Sequence, residues 1–578
     1  MKKQQIKHYS ADVSAALQSS DLHPVLQQAY AHRGISDASQ VEYELAKLLP
    51  PSDLMGMPQA IEILRAAVEA NQKILIVGDF DADGATSSTV CYRALTMLGA
   101  NQISYLVPNR FDFGYGLTPE LVEVAKEFQP DVLVTVDNGI SCVAGVKAAK
   151  DAGMQVVVTD HHLAGAVLPN ADAIVNPNQP GCTFASKALA GVGVIFYVML
   201  ALRQALREAG YFTAQRPQPN MAKLLDLVAL GTVADVVPLD DNNRILVDQG
   251  LKRIRAGQCC AGIQALLQVA GRDINRVVAS DMGFAVGPRL NAAGRLEDMS
   301  LGIECLLTDD ASRAADIAQQ LNDLNRQRRQ IEGDMQTQAM QELQPLLDSL
   351  SEAELPKGIS IFNADWHQGV IGILASRIKE AFNRPVIAFA DAGDGEIKGS
   401  ARSIKGLHIR DALENIATQQ PDLIIKFGGH AMAAGLSLKQ SNFETFQQAF
   451  QHECERLLSD DALQGVIESD GELPAEAMTL ELAQSLREAG PWGQYFPEPM
   501  FDGEFEVVDW RVVGEKHIKM QLATAESEQI MDAIAFNVSA DYMEATEGFI
   551  RAAYRLDVNS FRGKDSVQLM VVYFEGMG

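Results

Sequence analysis

The chain has 578 residues, of which 47% are hydrophobic, and this exceeds what one hydrophobic core usually supports, so we expect several domains. Its net charge of −27 argues against a module that binds nucleic acid passively through a basic surface, although seven bases face four acids between residues 251 and 300. Seven scattered cysteines without C-x-x-C spacing argue against a disulfide framework and favour reduced thiols.

The N-terminal region, residues 1–60, is polar and is predicted to form a mainly helical cover. It contains no export signal, because the basic start of the chain is followed by polar rather than apolar sequence. We therefore expect a cytoplasmic protein. The longest apolar run, residues 188–202, is short and interrupted by glycine, which predicts a buried helix rather than a membrane span.

An apolar strand predicted at residues 74–77 leads directly into three alternating carboxylates, Asp79, Asp81 and Asp83. Like charges at the end of a buried strand repel one another and resist desolvation, so a metal ion or basic groups must offset them. A calcium loop of the EF-hand type is excluded, because its twelfth position requires a glutamate and is Val90 here.

Apolar runs alternate with helical patterns between residues 70 and 240, for example at 118–128 and 141–152. This alternation predicts a parallel sheet with helices on both faces. Further acids follow three more apolar runs; they are Asp137, Asp160 in the triplet Asp160-His161-His162, and Asp235. Because ligands gather outside the carboxyl ends of such strands, we expect these side chains to lie together. Carboxylates and imidazole without cysteine suit manganese, magnesium or zinc.

The chain continues with helices at residues 241–305 and with one long helix predicted at 309–350, where apolar residues keep helical spacing. Within this helix, the basic residues Arg326, Arg328 and Arg329 permit two interpretations. They contact a phosphate backbone, or they form a solvated helix face, which is the simpler interpretation.

A second α/β unit is predicted at residues 358–455, and it carries small residues at 398–403 and in the Gly428-Gly429-His430 turn. Short alternating strands at 470–578 predict a small barrel. Three aromatic residues of this segment permit two interpretations, stacking on a base or packing in the barrel core; they are Trp510, Phe536 and Phe561.

Four segments, residues 79–84, 136–139, 160–162 and 231–235, resemble the motifs of the DHH phosphoesterase superfamily. Three later segments, at 284–295, 366–377 and 428–435, resemble the RecJ family of bacterial single-strand-specific DNA exonucleases. The resemblance implies an α/β fold with a parallel-sheet core and a C-terminal OB-type barrel. The implied domains are a DHH catalytic core (61–308), a connecting helix (309–350), a second α/β DHHA1 domain (351–460) and an OB-type nucleic-acid-binding domain (465–578).

The resemblance also implies a function, a 5'-to-3' exonuclease that hydrolyses single-stranded DNA with two divalent cations, Mn2+ or Mg2+, in recombination and repair. His162 is expected to donate to the phosphate or leaving group, with metal ligation as the alternative. Arg289 and Asn291 are expected to steady the reacting phosphate, with a buried ion pair as the alternative for Arg289. The expected metal ligands are Asp79, Asp81, Asp83, Asp137, His161 and Asp235, with Asp79 either a ligand or an acid beside one.

Capture of the 5' end would set the polarity. The resemblance assigns the terminal 5'-phosphate to Arg110, Ser400 and Arg402, and close approach of the sugar-phosphate chain to Gly429 and His430. It further implies a helicase and the single-stranded-DNA-binding protein as partners. We also expect a monomer that meets no membrane.

Three other functions share some of these features. A phosphoesterase acting on pyrophosphate, cyclic dinucleotides or nanoRNA would carry the same metal motifs, but a C-terminal barrel suits long polymers better. A catalytically silent scaffold would be expected to lack some of the acids, all of which are present. A plain DNA-binding module is disfavoured by the acidic charge.

Overall fold

The computed structural model describes residues 4–109, 113, 115–349, 356–429, 431–459, 461–514, 517–524, 529–544, 546 and 548–577, and of residues 342–349 and 461 it describes the backbone alone. Arg110 and His430 lie outside these residues. The strands are β1 (Gln4–His8), β2 (Ile74–Val77), β3 (Ile103–Leu106), β4 (Val132–Val136), β5 (Gln155–Thr159), β6 (Ala173–Val175), β7 (Ile359–Phe362), β8 (Val386–Gly393), β9 (Glu396–Arg402), β10 (Lys426–Gly429), β11 (Ala433–Lys439), β12 (Gly465–Ser469), β13 (Phe501–Val513), β14 (His517–Thr524), β15 (Ile530–Phe536), β16 (Phe549–Phe561) and β17 (Lys564–Gly576).

The α-helices are α1 (Ala15–Gln18), α2 (Pro24–His32), α3 (Met57–Glu69), α4 (Ala82–Leu98), α5 (Pro119–Ala125), α6 (Val143–Asp151), α7 (Gly191–Glu208), α8 (Leu225–Ala234), α9 (Asp241–Arg255), α10 (Ala261–Val269), α11 (Ala279–Asp281), α12 (Gly287–Leu296), α13 (Ser300–Leu307), α14 (Ala311–Ser349), α15 (Ile371–Phe382), α16 (Ile409–Gln419), α17 (Phe443–Leu457), α18 (Leu480–Glu488) and α19 (Ala540–Glu544). A π-helical turn at Met282–Val286 precedes α12. Among the described residues, no helix is both long and apolar enough to cross a membrane.

The chain divides into two compact units. The larger unit comprises Ala11–Asn325 and Gln484–Pro499, and the smaller unit comprises Met1–Ser10, Arg326–Ala483 and Met500–Gly578. The long helix predicted at 309–350 is confirmed as α14, which begins in the larger unit and ends in the smaller one.

The larger unit is built on a five-stranded parallel sheet with the order β3-β2-β4-β5-β6. Strands β2 and β4 are buried along their whole length, as expected of parallel strands covered on both faces. One face packs against α5 and α6, with Leu75, Leu133 and Val156 in the core. The predicted parallel sheet is therefore confirmed, as is the buried helix predicted at 188–202, which is α7.

The smaller unit contains a five-stranded sheet, with the order β10-β11-β9-β8-β7, and a closed barrel, with the order β13-β14-β15-β17-β16. Helices α16 and α17 supply the core on one face of the sheet, and α15 packs on the other face over β8 and β9. The predicted second α/β unit and the C-terminal barrel are both present.

Two local features differ from the predictions. Residues 4–8 are not helical but form β1, which pairs in parallel with β12. Arg328 lies neither on a solvated face nor free for a phosphate, because it is buried and paired with Glu332 at 2.5 Å, whereas Arg326 and Arg329 are exposed. All seven cysteines are free thiols, as predicted.

Candidate metal centre

The three alternating acids lie where β2 ends and α4 begins. Asp81 is the N-cap of α4, since its Oδ1 accepts hydrogen bonds from the backbone N–H groups of Asp83 and Gly84, both at 3.0 Å. Asp79 is buried beside it, and its Oδ1 accepts from Phe80 N at 2.8 Å. The positive end of a helix therefore faces this acidic cluster and offsets part of its charge.

Asp83 is fixed by a second helix. Its Oδ2 accepts from Gly191 N at 2.6 Å and its Oδ1 from Val192 N at 2.9 Å, both at the first turn of α7. The carboxylate is fully buried, and these N–H groups compensate for part of its lost hydration. The start of α7 thus holds Asp83 in one orientation.

Asp137 follows β4 directly and adopts a left-handed backbone conformation, with φ of +62°. The next residue, Asn138, donates from Nδ2 to the carbonyls of Val77 at 3.1 Å and Val136 at 2.9 Å, so it ties the ends of β2 and β4 together. A Cβ on Gly191 would lie 2.6 Å from Asp137 Oδ1. Only glycine therefore leaves room for this carboxylate.

Asp160 organises the histidine pair. Its Oδ1 accepts from the backbone N–H groups of His161 and His162 and from His162 Nδ1 at 2.7 Å, while its Oδ2 accepts from Ile140 N at 2.9 Å. The sequence analysis placed Asp160 in the motif but gave it no role. Its position two residues before His162, where an aspartate closes a local turn on the backbone, is the signal that could have revealed it.

The predicted ligands meet around His161. Its Nε2 lies 3.2 Å from Asp137 Oδ1, 3.4 Å from Asp235 Oδ2 and 4.0 Å from Asp83 Oδ2. Nε2, Asp137 Oδ1 and Asp235 Oδ2 are buried without a hydrogen-bond partner among the described residues. Three overlapping groups have atoms close enough to hold a metal ion; they are Asp83, His161 and Asp235, then Asp137, His161 and His162, and then Asp79, Asp81 and Asp137.

These residues fit divalent cations. Buried, unpartnered oxygen and imidazole nitrogen atoms are costly unless a cation binds them, and a set of carboxylates with imidazole and no thiolate suits Mn2+ or Mg2+. Asp137 and His161 each belong to two of the three groups, which suits a pair of ions that share ligands.

The electrostatics of the centre also call for positive charge. Burial, followed by the repulsion of neighbouring carboxylates, raises the pKa of Asp83 to about 7, that of Asp235 to about 8, and that of Asp137 well above its ordinary value. Burial lowers the pKa of His161, so its imidazole is neutral and able to ligate.

His162 is in a different state from His161. Burial acts to lower the pKa of His162, but the hydrogen bond and charge of Asp160 outweigh burial and raise it to about 9. Burial likewise acts to raise the pKa of Asp160, and His162 outweighs it and lowers the value to about 2. His162 therefore carries a proton at neutral pH.

Asp235 reaches the centre from a helix and not from a strand end. It is the C-cap of α8, and the expectation that all the acids follow strands is wrong at this position. The cause lies in the sequence, because nearly all of α8 is buried and its mainly apolar residues follow no helical period. Val236, which follows, has φ of +62°.

Tyr115 is a residue of the centre that the sequence analysis did not single out. Its hydroxyl lies 3.1 Å from His162 Nδ1 and 3.4 Å from the carbonyl of Asp137, and its ring meets that of Phe80 edge-on. The side chain is 45% exposed, so it lines the rim of the site.

The two residues expected to steady the phosphate lie on α12. Asn291 Oδ1 accepts from Ala82 N at 2.8 Å, which brings it to the acidic segment. Arg289 donates from Nη1 to the carbonyl of Ala285 at 2.6 Å and from Nε to Asn322 Oδ1 at 3.1 Å. The structure thus brings Asn291 next to the predicted ligands. Two nitrogen atoms of the Arg289 guanidinium group, Nη1 and Nε, bind acceptors inside the protein.

The expected 5'-phosphate residues lie in the smaller unit. Arg402 donates from Nη1 to Ser400 Oγ at 3.1 Å and to the carbonyl of Ala401 at 2.8 Å, and burial lowers its pKa. A Cβ on Gly372 would lie 2.9 Å from Arg402 Nη2, so the first turn of α15 abuts the guanidinium. Gly429 has φ of +143°, and a Cβ there would lie 2.4 Å from the carbonyl of Ala433.

The aromatic residues of the barrel differ in exposure. Phe561 is 65% exposed and Phe536 48%, whereas Trp510 is intermediate. Stacking on bases stays a prediction for all three.

Comparison with known families identifies the same three segments. Residues 73–232 match the model for the DHH family, N-terminal domain, residues 356–456 match the DHHA1 domain, and residues 469–573 match the RecJ OB domain. Each match lies within a predicted segment, while the boundaries between segments stay predictions.

Known relatives match over the whole chain. The single-stranded-DNA-specific exonuclease RecJ of Salmonella typhimurium is 53% identical over 574 residues, which covers 99% of both chains. The crystal structure of RecJ in complex with Mn2+ from Thermus thermophilus is similar with a TM-score of 0.79 and 29% identity, over 99% of this chain and 79% of that chain. The corresponding Mg2+ complex has a TM-score of 0.74 and 27% identity, over 99% and 78%.

Proposed function

The chain belongs to the RecJ family of single-stranded-DNA-specific exonucleases, and on this basis we propose that it hydrolyses phosphodiester bonds of single-stranded DNA with divalent cations, Mn2+ or Mg2+. The observation that carries the proposal is the set of three buried, unpartnered ligand atoms on Asp137, His161 and Asp235. Such a set is costly in a folded protein unless cations bind it.

We infer that Asp79, Asp81, Asp83, Asp137, His161 and Asp235 hold two cations. When bound, the cations polarise the phosphate and lower the pKa of a nearby water, which supplies the nucleophile. Asp160 positions His162 through Nδ1 and keeps the ring protonated. The other ring nitrogen, Nε2, then donates a proton to the phosphate or to the leaving oxygen. Asn291 positions the start of α4, and Arg289 contributes positive charge toward the reacting phosphate.

The test uses three substrates side by side. The purified chain is incubated with Mn2+ and an end-labelled single-stranded oligonucleotide, pyrophosphate or a dinucleotide. Degradation of the oligonucleotide that stops on chelation of the metal is expected, and the variant His161→Ala, which removes one of the unpartnered atoms, should be inactive. Hydrolysis of the two small substrates with the oligonucleotide left intact would contradict the proposal.

We further propose that degradation runs from 5' to 3' because Ser400 and Arg402 bind the terminal 5'-phosphate. The support is local, since the planar Arg402 fork lies at the first turn of a 12-residue helix, α15, where N–H groups also favour an anion. Arg402→Ala should remove the preference for 5'-phosphorylated over 5'-hydroxyl oligonucleotides. An unchanged preference would remove the residue from this role.

The cellular setting is also part of the proposal. A nuclease that consumes single strands requires a helicase to expose them, and it meets the single-stranded-DNA-binding protein that coats them. We therefore propose a cytoplasmic monomer that acts with these two partners in recombination and repair.

A further inference from the structure

Helix α14 buries a polar side chain within the larger unit. The residues on the buried side of its first turns are apolar; they are Ala314, Ile317, Ala318 and Leu321. Asn322 comes next on this side of the helix and is 6% exposed. Burying an amide costs free energy unless it is hydrogen-bonded, so the contact of Asn322 is what makes its position tolerable.

That contact is with Arg289 of α12. The Oδ1 atom of Asn322 accepts from Arg289 Nε at 3.1 Å, and Arg289 Nη1 donates to the carbonyl of Ala285 at 2.6 Å. A guanidinium group is planar, and two of its nitrogen atoms are thus bound to acceptors on two separate elements, α14 and the π-helical turn. Together the two acceptors fix the plane of a side chain that otherwise has many rotamers.

Helix α12 packs beside the metal centre on both sides of Arg289. Two residues earlier, a Cβ on Gly287 would lie 3.1 Å from the Cβ of Ala234, the last residue of α8. Two residues later, Asn291 Oδ1 accepts from Ala82 N, in the first turn of α4, at 2.8 Å. The backbone of α12 is therefore held against the acid-bearing segments. What remains to be set is the orientation of the long Arg289 side chain, and a misplacement of about 1 Å is enough to slow a reaction strongly.

We propose that Asn322 is a positioning residue of the nuclease, which holds the Arg289 guanidinium group in the orientation that binds the reacting phosphate. Asn322 acts through Arg289 and not on the substrate itself. The buried side chains of Ala318 and Leu321 keep this turn of α14 in place, so the acceptor oxygen is rigidly held. The inference rests on the proposed function and adds a residue of α14 to the groups that carry it out.

The first test removes the acceptor. Asn322→Ala should lower kcat on a 5'-phosphorylated single-stranded oligonucleotide by about 10- to 100-fold, the usual cost of losing a partner that orients a group of an active site. KM and the Mn2+ concentration for half-maximal activity should not change, because the metal ligands and the other DNA contacts are intact. Asn322→Asp retains an acceptor oxygen and should recover part of the lost kcat. Gln320→Ala, at an exposed position of the same helix, is the control and should keep the wild-type kcat.

A double-mutant cycle separates positioning from a purely structural role. Arg289→Ala should lower kcat at least as much as Asn322→Ala does, and adding Asn322→Ala to Arg289→Ala should have no further effect. If Asn322→Ala does not fold, Asn322→Ser replaces it in the cycle, since the serine hydroxyl is one bond shorter than the amide. A wild-type kcat in the Asn322 variant, or an equal loss with and without Arg289, would overturn the proposal. Failure of the proposed function is distinguishable, because the wild-type protein would then leave single-stranded DNA intact in Mn2+.

Discussion

Replacing Gly191 by alanine tests whether the position of Asp137 controls metal binding. The added methyl group would lie 2.6 Å from both Cβ and Oδ1 of Asp137. Ordinary carbon contacts lie at about 3.5–4.0 Å, so the carboxylate must move by roughly 1 Å. A metal site loses its geometry when ligands shift by more than about 0.5 Å. Gly191 N–H, which binds Asp83, is retained in the alanine variant.

The expected loss of Mn2+ affinity follows from the free-energy cost of overpacking, which is about 1–3 kcal/mol. If that cost falls on the metal-bound state, affinity for Mn2+ decreases roughly 5- to 140-fold. The assay measures the Mn2+ concentration that gives half-maximal nuclease activity, and it measures the rise in melting temperature on addition of Mn2+. In the Gly191→Ala variant, the Mn2+ concentration for half-maximal activity should increase, and the rise in melting temperature on addition of Mn2+ should become smaller.

A matched control lies two residues further along the same helix. Alanine at Gly193 would meet only the flexible end of Leu189, at 3.0 Å, and it gains about 1 kcal/mol of helix propensity. Gly193→Ala should therefore keep the wild-type Mn2+ dependence. If Gly191→Ala also kept it, with the fold intact, the reasoning that links α7 to Asp137 would be refuted.

Two other predictions concern carboxylates held by hydrogen bonds. Asp160→Asn should lower the pKa of His162 from about 9 toward roughly 6.5, because the neutral amide no longer stabilises the imidazolium. Histidine NMR titration of the metal-free protein measures this pKa. A pKa of His162 still near 9 in the variant would contradict the role of Asp160. In the smaller unit, burial acts to raise the pKa of Asp502, but hydrogen bonds from Ser469 and Arg551 outweigh burial and hold it low. The ionised Asp502 therefore stabilises the fold above about pH 3.9, and this stabilisation is lost as pH falls through the lower pKa of the folded state. The Asp502→Asn variant should have a lower free energy of unfolding than the wild type at neutral pH, and the difference should shrink in acid. A difference that does not change with pH would contradict the assignment.

The strands that bear the metal-binding acids could be predicted because parallel strands covered on both faces are continuous apolar runs, as β2, β4 and β5 are. Asp79 and Asp137 were located by this signal together with the rule that ligands gather at carboxyl strand ends. Asp235 lies in the cluster but is carried by a helix, whereas a strand end was predicted. An apolar run carries no period when every side of a helix is buried.

The remaining differences concern pairing, burial and side-chain orientation, which only the fold defines. The β1 segment, Gln-Gln-Ile-Lys-His, is polar and short, and its structure depends on β12, far along the chain. Arg328 is buried together with Glu332, one helical turn later. In the sequence, this spacing looks the same as that of an exposed helical ion pair. The role of Asp160 was not predicted, although the residue was named, because the orientation of the His162 ring that it binds is defined only by the fold.

The pairing of β1 with β12 has a consequence for synthesis of the chain on the ribosome. Residues 465–469, the partner of residues 4–8, emerge only after more than four hundred further residues. At about 5–20 residues per second, this delay is roughly 25 to 90 s. During that time the nascent β1 lacks the strand with which it pairs, and unpaired strand edges invite association with other chains. Completion of the smaller unit therefore waits for residues 465–469, however early the larger unit folds.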